Sequence, residues 1–295
     1  MNLPDLNVFA TAARLGSVTR AAHALSTVQS NVTARIRLLE RELGVQLFDR
    51  SYRGITLTPK GEQLLPYAQQ MLTLAENARS AVSGPGDVRG VLRIGSLQST
   101  ASARLPEVLK AYAQRHDGVD ISIVTGTSTE LIDHVVKNRL DGAFVSGADA
   151  HPDLDAVTSF VEELVMISPA QYRTIRDYLK HSSVPKVLVF RIGCHYRRQL
   201  EHYLAGLGVG GLNQMEFGTI DGIIGCVAAG LGVSLLPRSV VERSARRKEV
   251  RIHTLPKSER YVETQFVTHR AQVRSLALEQ LTAVIQSDKT AQRRA

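Results

Sequence analysis

Gln29-Ser30-Asn31-Val32-Thr33-Ala34-Arg35-Ile36-Arg37-Leu38-Leu39-Glu40-Arg41-Glu42-Leu43-Gly44 carries two opposed faces on one helical repeat. At about 100° per residue, Val32, Ile36, Leu39 and Leu43 fall within roughly 60° of one another, while Ser30, Thr33, Ala34, Arg37 and Arg41 gather on the far side. The spacing predicts a helix from about Ser26 or Thr27 to Glu42, closed by Leu43-Gly44. One face packs. The other opens with small residues and continues with arginines, which suits a helix backbone sunk in the major groove with long donors reaching base edges or phosphates. An ordinary amphipathic surface helix is the competing reading of the wheel alone.

The flanking segments favour the groove. Upstream, Leu6 to Leu25 has helical apolar spacing interrupted at Leu15-Gly16-Ser17-Val18-Thr19, where glycine ends one helix and Ser17 or Thr19 caps the next. Helix, turn, helix, turn, helix is the minimal DNA-binding arrangement. Downstream, Val45 and Leu47 alternate with polar residues, Asp49-Arg50-Ser51-Tyr52-Arg53-Gly54 forms a turn, and Ile55 and Leu57 alternate again. This predicts a two-stranded wing that sets Arg53 over the flanking minor groove or backbone.

From Pro59 to Val82 a long helical pattern follows. Leu64, Ala68, Met71, Ala75, Ala78 and Val82 form an a/d seam whose alanines permit close approach of a partner helix, which favours dimerisation over a helix buried in its own chain. Two-fold symmetry would then match a pseudo-palindromic DNA site.

Composition agrees with a folded protein. The chain has 295 residues, 43% hydrophobic and 22% charged, with a net charge of +8. That excludes wholesale disorder and small stapled folds and leaves room for about two domains. Within the first sixty residues eight basic side chains face four acidic ones, so half of the surplus sits in the first fifth of the chain, as a polyanion partner requires. Two cysteines, Cys194 and Cys226, and a start without a basic segment leading into an apolar run point to the cytoplasm. No stretch reaches the length of a membrane helix.

Ser83-Gly84-Pro85-Gly86-Asp87 reads as a linker. Beyond it, candidate strands at Val91–Ile94, Ile121–Thr125, Gly142–Val145, Leu164–Ile167, Val187–Phe190, Val233–Leu236 and Thr264–Thr268 alternate with helical segments, which predicts βαβ units around largely parallel sheets.

Together these residues resemble the LysR-type transcriptional regulators. The resemblance rests on Phe9-Ala10-Thr11-Ala12-Ala13-Arg14-Leu15-Gly16-Ser17-Val18-Thr19-Arg20-Ala21-Ala22, Gln29-Ser30-Asn31-Val32-Thr33-Ala34-Arg35-Ile36, Leu39-Glu40, Leu43-Gly44-Val45, Leu47-Phe48-Asp49-Arg50 and Leu57-Thr58-Pro59-Lys60-Gly61. Val28 stands where relatives commonly carry Ser, and Ala34 where many carry a hydrogen-bonding side chain. The resemblance implies an α/β fold: a winged helix-turn-helix at 1–58, a dimerisation helix and linker at 59–88, and an effector-binding domain at 89–295. That domain would divide into subdomain I (about 89–164 and 266–295) and subdomain II (about 165–265), resembling periplasmic solute-binding proteins. It also implies a homodimer assembling to a homotetramer, a double-stranded promoter site, RNA polymerase as a further partner, no cofactor and no enzymatic activity. Gln29, Ser30, Thr33, Arg35 and Arg53 become expected DNA contacts, with Arg37 added from the wheel because Arg35 lies nearer the packed face.

The effector module shows three strand-to-helix turns rich in hydroxyls. They are Ser96-Leu97-Gln98-Ser99-Thr100, Thr125-Gly126-Thr127-Ser128-Thr129 and Glu216-Phe217-Gly218-Thr219-Ile220. Such turns bind ligands because free N–H groups and hydroxyls converge there, although N-capping explains each one separately. Ser96, Gln98, Ser99, Thr100, Thr127, Ser128, Thr219 and Ile220 are therefore candidates, joined by Arg191 and Cys194. The last two belong to Phe190-Arg191-Ile192-Gly193-Cys194-His195-Tyr196-Arg197-Arg198, similar to a Gly-Cys-x-Tyr-Arg stretch in one branch of the family. For Cys194, cleft lining, redox sensing by a thiol of lowered pKa and plain structural use stay open. Arg191 and Arg197 favour a carboxylate-bearing effector. HExxH, nucleophile-elbow, Walker A and spaced Cys/His zinc patterns are missing from the sequence. A small-molecule-binding protein without DNA activity is the alternative function; it leaves the wing and basic helix unexplained.

Overall fold

The structure, a computed structural model, describes residues 1–51, 54–83, 88–147, 151–181 and 184–292. Arg53, expected on the wing, and Gly84 to Asp87 of the expected linker lie outside them.

The chain begins with α1 (Leu3–Leu15), α2 (Val18–Ala24) and α3 (Gln29–Leu43). Gly16 ends α1 in the left-handed region at φ 60°, and the Ser17 side chain accepts the Arg20 N–H to start α2, as the sequence predicts. The start of α3 differs. Ser26 turns into the left-handed region at φ 50°, and the Thr27 N–H donates to Ala22 O at 2.9 Å, so both residues finish α2 and cannot open the next helix. Val28 takes the N-cap position without a side-chain bond.

Val32, Ile36 and Leu39 are buried against Phe9, Ala12 and Ala21. Leu43, expected on that face, is 38% exposed because the helix ends there at Gly44. The wing is β1 (Phe48–Ser51) and β2 (Gly54–Leu57), antiparallel with Phe48 opposite Leu57.

Helix α4 (Pro59–Ser83) then leads away. Its expected seam is split. Ala68 is fully buried with Leu65 in the winged module's own core, whereas Tyr67, Met71 and Leu74 are 62%, 40% and 58% exposed. The stripe open to a partner is therefore Tyr67, Met71, Leu74 and Ala78, rotated by roughly 50° around the helix from the expected one.

Two α/β subdomains follow. The first contains β3 (Gly90–Ser96), α5 (Gln98–Ala103), α6 (Leu105–Ala113), β4 (Val119–Thr125), α7 (Ser128–Val136) and β5 (Gly142–Ser146). Strand β6 (Leu154–Pro169) leads into the second, with α8 (Ile175–Lys180), β7 (Lys186–Val189), α9 (His195–Gly206), β8 (Asn213–Glu216), α10 (Ile220–Ala228), β9 (Ser234–Pro237), α11 (Arg238–Arg243) and β10 (Val250–Thr254). After α12 (Lys257–Arg260), β11 (Tyr261–His269) returns to the first subdomain, and α13 (Leu276–Gln292) packs there on α6.

The sheets are mixed, which corrects the expectation of largely parallel ones. β3 pairs in parallel with β4 and β5, and β7 with β8, but β11 runs antiparallel to β5 and β6, and β6 antiparallel to β9 and β10. The cause is β6 itself. Its first part, through Glu163, pairs with β11; from Leu164 it pairs with β9 and, from Val165, with β10. One strand thus belongs to both subdomains, and in its first half Asp155, Thr158 and Ser159 break the apolar residues so that no continuous apolar run is left to read.

Candidate functional site

The exposed face of α3 carries Gln29, Ser30, Ala34, Arg37 and Arg41, with Thr33 half-buried at its edge. Arg37 and Arg41 have no hydrogen bond or ion pair among the described residues, so their guanidinium groups are available. Gln29 donates from Nε2 to Thr19 Oγ1 at 2.7 Å, which ties the first residue of α3 to α2 and orients its side chain. Arg35 is differently placed. Its Nη1 lies 2.8 Å from the buried carboxylate of Asp5 on α1, and the pair locks α3 to α1. The sequence places Arg35 among the DNA contacts; the structure gives its charge to Asp5.

A second site lies between the subdomains, a cavity of about 60 Å³. From the first subdomain come Leu97, Gln98, Ser99, Thr125, Gly126 and Thr127; from the second, Phe190, Arg191, Cys194, Tyr196, Phe217 and Gly218. Of the expected residues, Gln98, Ser99, Thr127, Arg191 and Cys194 line it. Ser96, Thr100 and Ser128 do not: they are buried, with Ser96 Oγ bonded to Leu97 O and Ser128 Oγ to Ser146 O. Thr219 and Ile220 also stand outside the lining. Thr219 caps α10 by accepting the Gly222 N–H, and Ile220 packs in the core of the second subdomain. Phe217 and Gly218 take their place in the third turn.

Contacts across the cavity hold it shut. Ser99 and Tyr196 share a hydrogen bond of 3.1 Å, Thr129 Oγ1 donates to Gly193 O at 3.5 Å, and Arg191 lies 3.7 Å from Glu130. Gly193 has φ 95°, and a Cβ on it would stand 2.9 Å from Thr127 Oγ1, so the approach of the two walls requires glycine. Thr127 both lines the cavity and closes a capping box with Glu130. The Thr127 backbone N–H donating to the Glu130 carboxylate holds that carboxyl below the usual range, with nearby Arg191 acting in the same direction.

Of the three roles left open for Cys194, the raised pKa of its thiol speaks against redox sensing. The thiol is buried, and burial pushes its pKa up against the opposing pull of backbone N–H groups and of Arg197 and Arg198. Arg197, expected near an anionic effector, is bound to Glu201, Glu216 and Gln214. Arg191 is the arginine that reaches the cavity. Sequence reading missed Phe190, Tyr196 and Phe217, although each lies within two positions of a residue it singled out.

Residues 3–62 match the family model described as bacterial regulatory helix-turn-helix protein, lysR family, and residues 85–289 match LysR substrate binding domain. The HTH-type transcriptional regulator GltR of Bacillus subtilis is 41% identical over 270 residues, covering 92% of this chain and 91% of the relative. A full-length OxyR variant from Pseudomonas aeruginosa superposes with a TM-score of 0.75 at 22% identity, covering 97% of this chain and 98% of the other. A structure of full-length CbnR complexed with its target DNA superposes with a TM-score of 0.64 at 20% identity, covering 97% and 99%.

Proposed function

Because this chain belongs to the LysR family of DNA-binding transcriptional regulators, we propose that α3 enters the major groove of a pseudo-palindromic promoter site and that a small molecule in the cleft sets the affinity. The observation that carries this reading is that one polypeptide joins an exposed basic helix face, with Arg37 and Arg41 unpaired among the described residues, to a closed polar-rimmed cleft between two subdomains. CbnR, of the same fold, is complexed with DNA. Gln29, Ser30, Thr33, Arg37 and, on the wing, Arg53 are the proposed DNA contacts, with Arg35 positioning α3.

We divide the chain into a DNA-binding module at 1–58, a dimerisation helix and linker at 59–88, and an effector domain at 89–295. The change of partners along β6 supports its split into 89–164 with 266–295, and 165–265. The exposed stripe of Tyr67, Met71 and Leu74 supports a homodimer. Pairing of dimers into a tetramer, action in the cytoplasm and contact with RNA polymerase complete the proposal. The Gly193-Cys194-His195-Tyr196-Arg197 stretch, with Cys194 and Tyr196 in the cleft wall, supports the branch that shares it.

A cavity of about 60 Å³ holds only a few water-sized groups, so a larger effector must separate the walls and replace the Ser99–Tyr196, Thr129–Gly193 and Glu130–Arg191 contacts. It thereby shifts the population of subdomain arrangements, and α4 relays the change. A carboxylate effector would take Arg191 from Glu130. Screening metabolites for thermal stabilisation of the full chain, followed by DNA titration with and without each hit, tests the coupling. A ligand that stabilises the protein without changing its DNA affinity counts against it.

A further inference from the structure

Asn77 of α4 reaches into the effector domain. Its Nδ2 donates to Arg274 O at 2.8 Å, and its Oδ1 accepts the Leu276 N–H at 3.2 Å. Leu276 opens α13, and the first amides of a helix find no acceptor within it. Two side chains supply acceptors from outside the helix: Ser275 Oγ takes the Leu278 N–H at 3.1 Å from within the domain, and Asn77 takes that of Leu276 from beyond it. Two turns earlier on α4, Gln70 Nε2 donates to Ala271 O at 3.5 Å. Gln70 and Asn77 share one line of α4, roughly 80° around the helix from the stripe of Tyr67, Met71, Leu74 and Ala78.

The loop that receives them is firmly held. Arg274 reaches Asp155 at 2.8 Å and Thr268 Oγ1 at 3.4 Å, and Arg270 reaches Asp155 at 3.1 Å and Leu154 O at 3.0 Å. Leu154 and Asp155 open β6, the strand that both subdomains share. The loop therefore moves with that sheet, and α4 is fastened to the loop by side-chain bonds.

Beside this fastening the two bodies leave a space of about 1150 Å³. α1, β2 and α4 form one wall; β3, the turn after α7 and the segment from Gln272 to Ala277 form the other. An interface packed to the density of a protein interior leaves no such gap. Partial burial and the like charge of Arg93 both push the Arg14 pKa down. Arg14 belongs to the first wall and Arg93 to the second, so their charges oppose docking even with Arg93 bonded to Asp141. The Asn77 bonds are exchanged for bonds to water when the walls part, so each contributes little net free energy. Docking is finely balanced.

We propose that Asn77 is the clasp of a two-state device. Closed, it fixes α4 and the winged module to the first subdomain; open, it frees them to turn against it. With the dimer proposed above seated on the stripe, the clasp lies beside the seam and not in it, and its state sets how each effector domain hangs from the paired helices. The clasp itself needs neither DNA nor effector.

Hydrogen exchange of the full chain without DNA, resolved to single amides by electron-transfer mass spectrometry, tests this. Asn77→Leu removes both bonds at nearly equal size and should speed exchange at Leu276 roughly tenfold or more, while Leu278, capped from within its own domain, should keep its rate. Arg14 is far from Leu276 in the chain; Arg14→Gln lifts the repulsion and should slow exchange at Leu276 about twofold or more. Melting curves check that each variant folds. A Leu276 amide that exchanges at the free-peptide rate in the unaltered chain overturns the clasp, as does one indifferent to Asn77→Leu. Acceleration shared by Leu278 would be fraying of α13 and overturns it too. No effect of Arg14→Gln at Leu276 would reduce Asn77 to a local cap and overturn the two-state device.

Discussion

The hydroxyl of Tyr196 on α9 lies 3.1 Å from that of Ser99 on α5, and both side chains are buried between the two subdomains. The bond exists only while the cleft is closed. It therefore measures the closed state directly.

Tyr196→Phe and Ser99→Ala should each destabilise the protein by about 1 kcal/mol, the net worth of a buried neutral hydrogen bond. A double-mutant cycle by chemical denaturation should return a coupling energy of at least about 0.5 kcal/mol. A coupling of zero would mean that the two hydroxyls do not hold the walls together.

Arg35 and Arg37 should separate by phenotype. Arg37→Ala should weaken promoter binding by about 1–3 kcal/mol with little effect on melting. Arg35→Ala strands the buried carboxylate of Asp5 and should lower stability by about 1–3 kcal/mol. Thermal unfolding beside DNA titration at fixed salt distinguishes them; equal melting temperatures would contradict the assignment.

The Cys194 thiol, raised in pKa by burial, carries less thiolate at neutral pH than a free cysteine. Alkylation at pH 7 should therefore be slower at Cys194 than at a free thiol, and should speed up as the pH rises toward the shifted pKa. Mass spectrometry of iodoacetamide time courses reads both. Modification as fast as free cysteine would restore the reactive-thiol reading.

On α4, Met71→Lys or Leu74→Lys places like charges along the exposed stripe of two facing helices and should drive the oligomer toward monomers. Ala68→Lys should instead unfold the winged module, because that residue is fully buried in its own chain. Sedimentation showing an unaltered oligomer for both stripe variants would move the dimer contact elsewhere.

Much of this was legible in the sequence. The period of α3 announced its buried face, Gly16 and Ser17 marked the break between the first helices, and the alternation around Asp49 to Gly54 marked the wing. Local signals failed where a distant partner decides the outcome. Asp5 claims Arg35 from 30 positions away, and nothing near Arg35 announces it. Thr219 and Thr127 read alike as hydroxyls before a helix, and both are caps. Only the packing of the subdomains sets Thr127, and not Thr219, in the cleft wall. Tyr196 draws no role from its sequence neighbours, and its hydroxyl acquires one only when α5 is brought opposite. Burial raises the Cys194 pKa against the redox reading, one of the three left open, because desolvation outweighs the neighbouring arginines.

The central claim is that the basic face of α3 reads DNA. A mobility-shift titration of the full chain against a pseudo-palindromic fragment upstream of its own gene, at fixed salt with excess non-specific competitor, tests it most directly. The account predicts a discrete complex that survives the competitor and is weakened about tenfold or more by Gln29→Ala and by Arg37→Ala, variants that still fold. Binding no tighter than to the competitor, or an affinity unchanged in both variants, would contradict it.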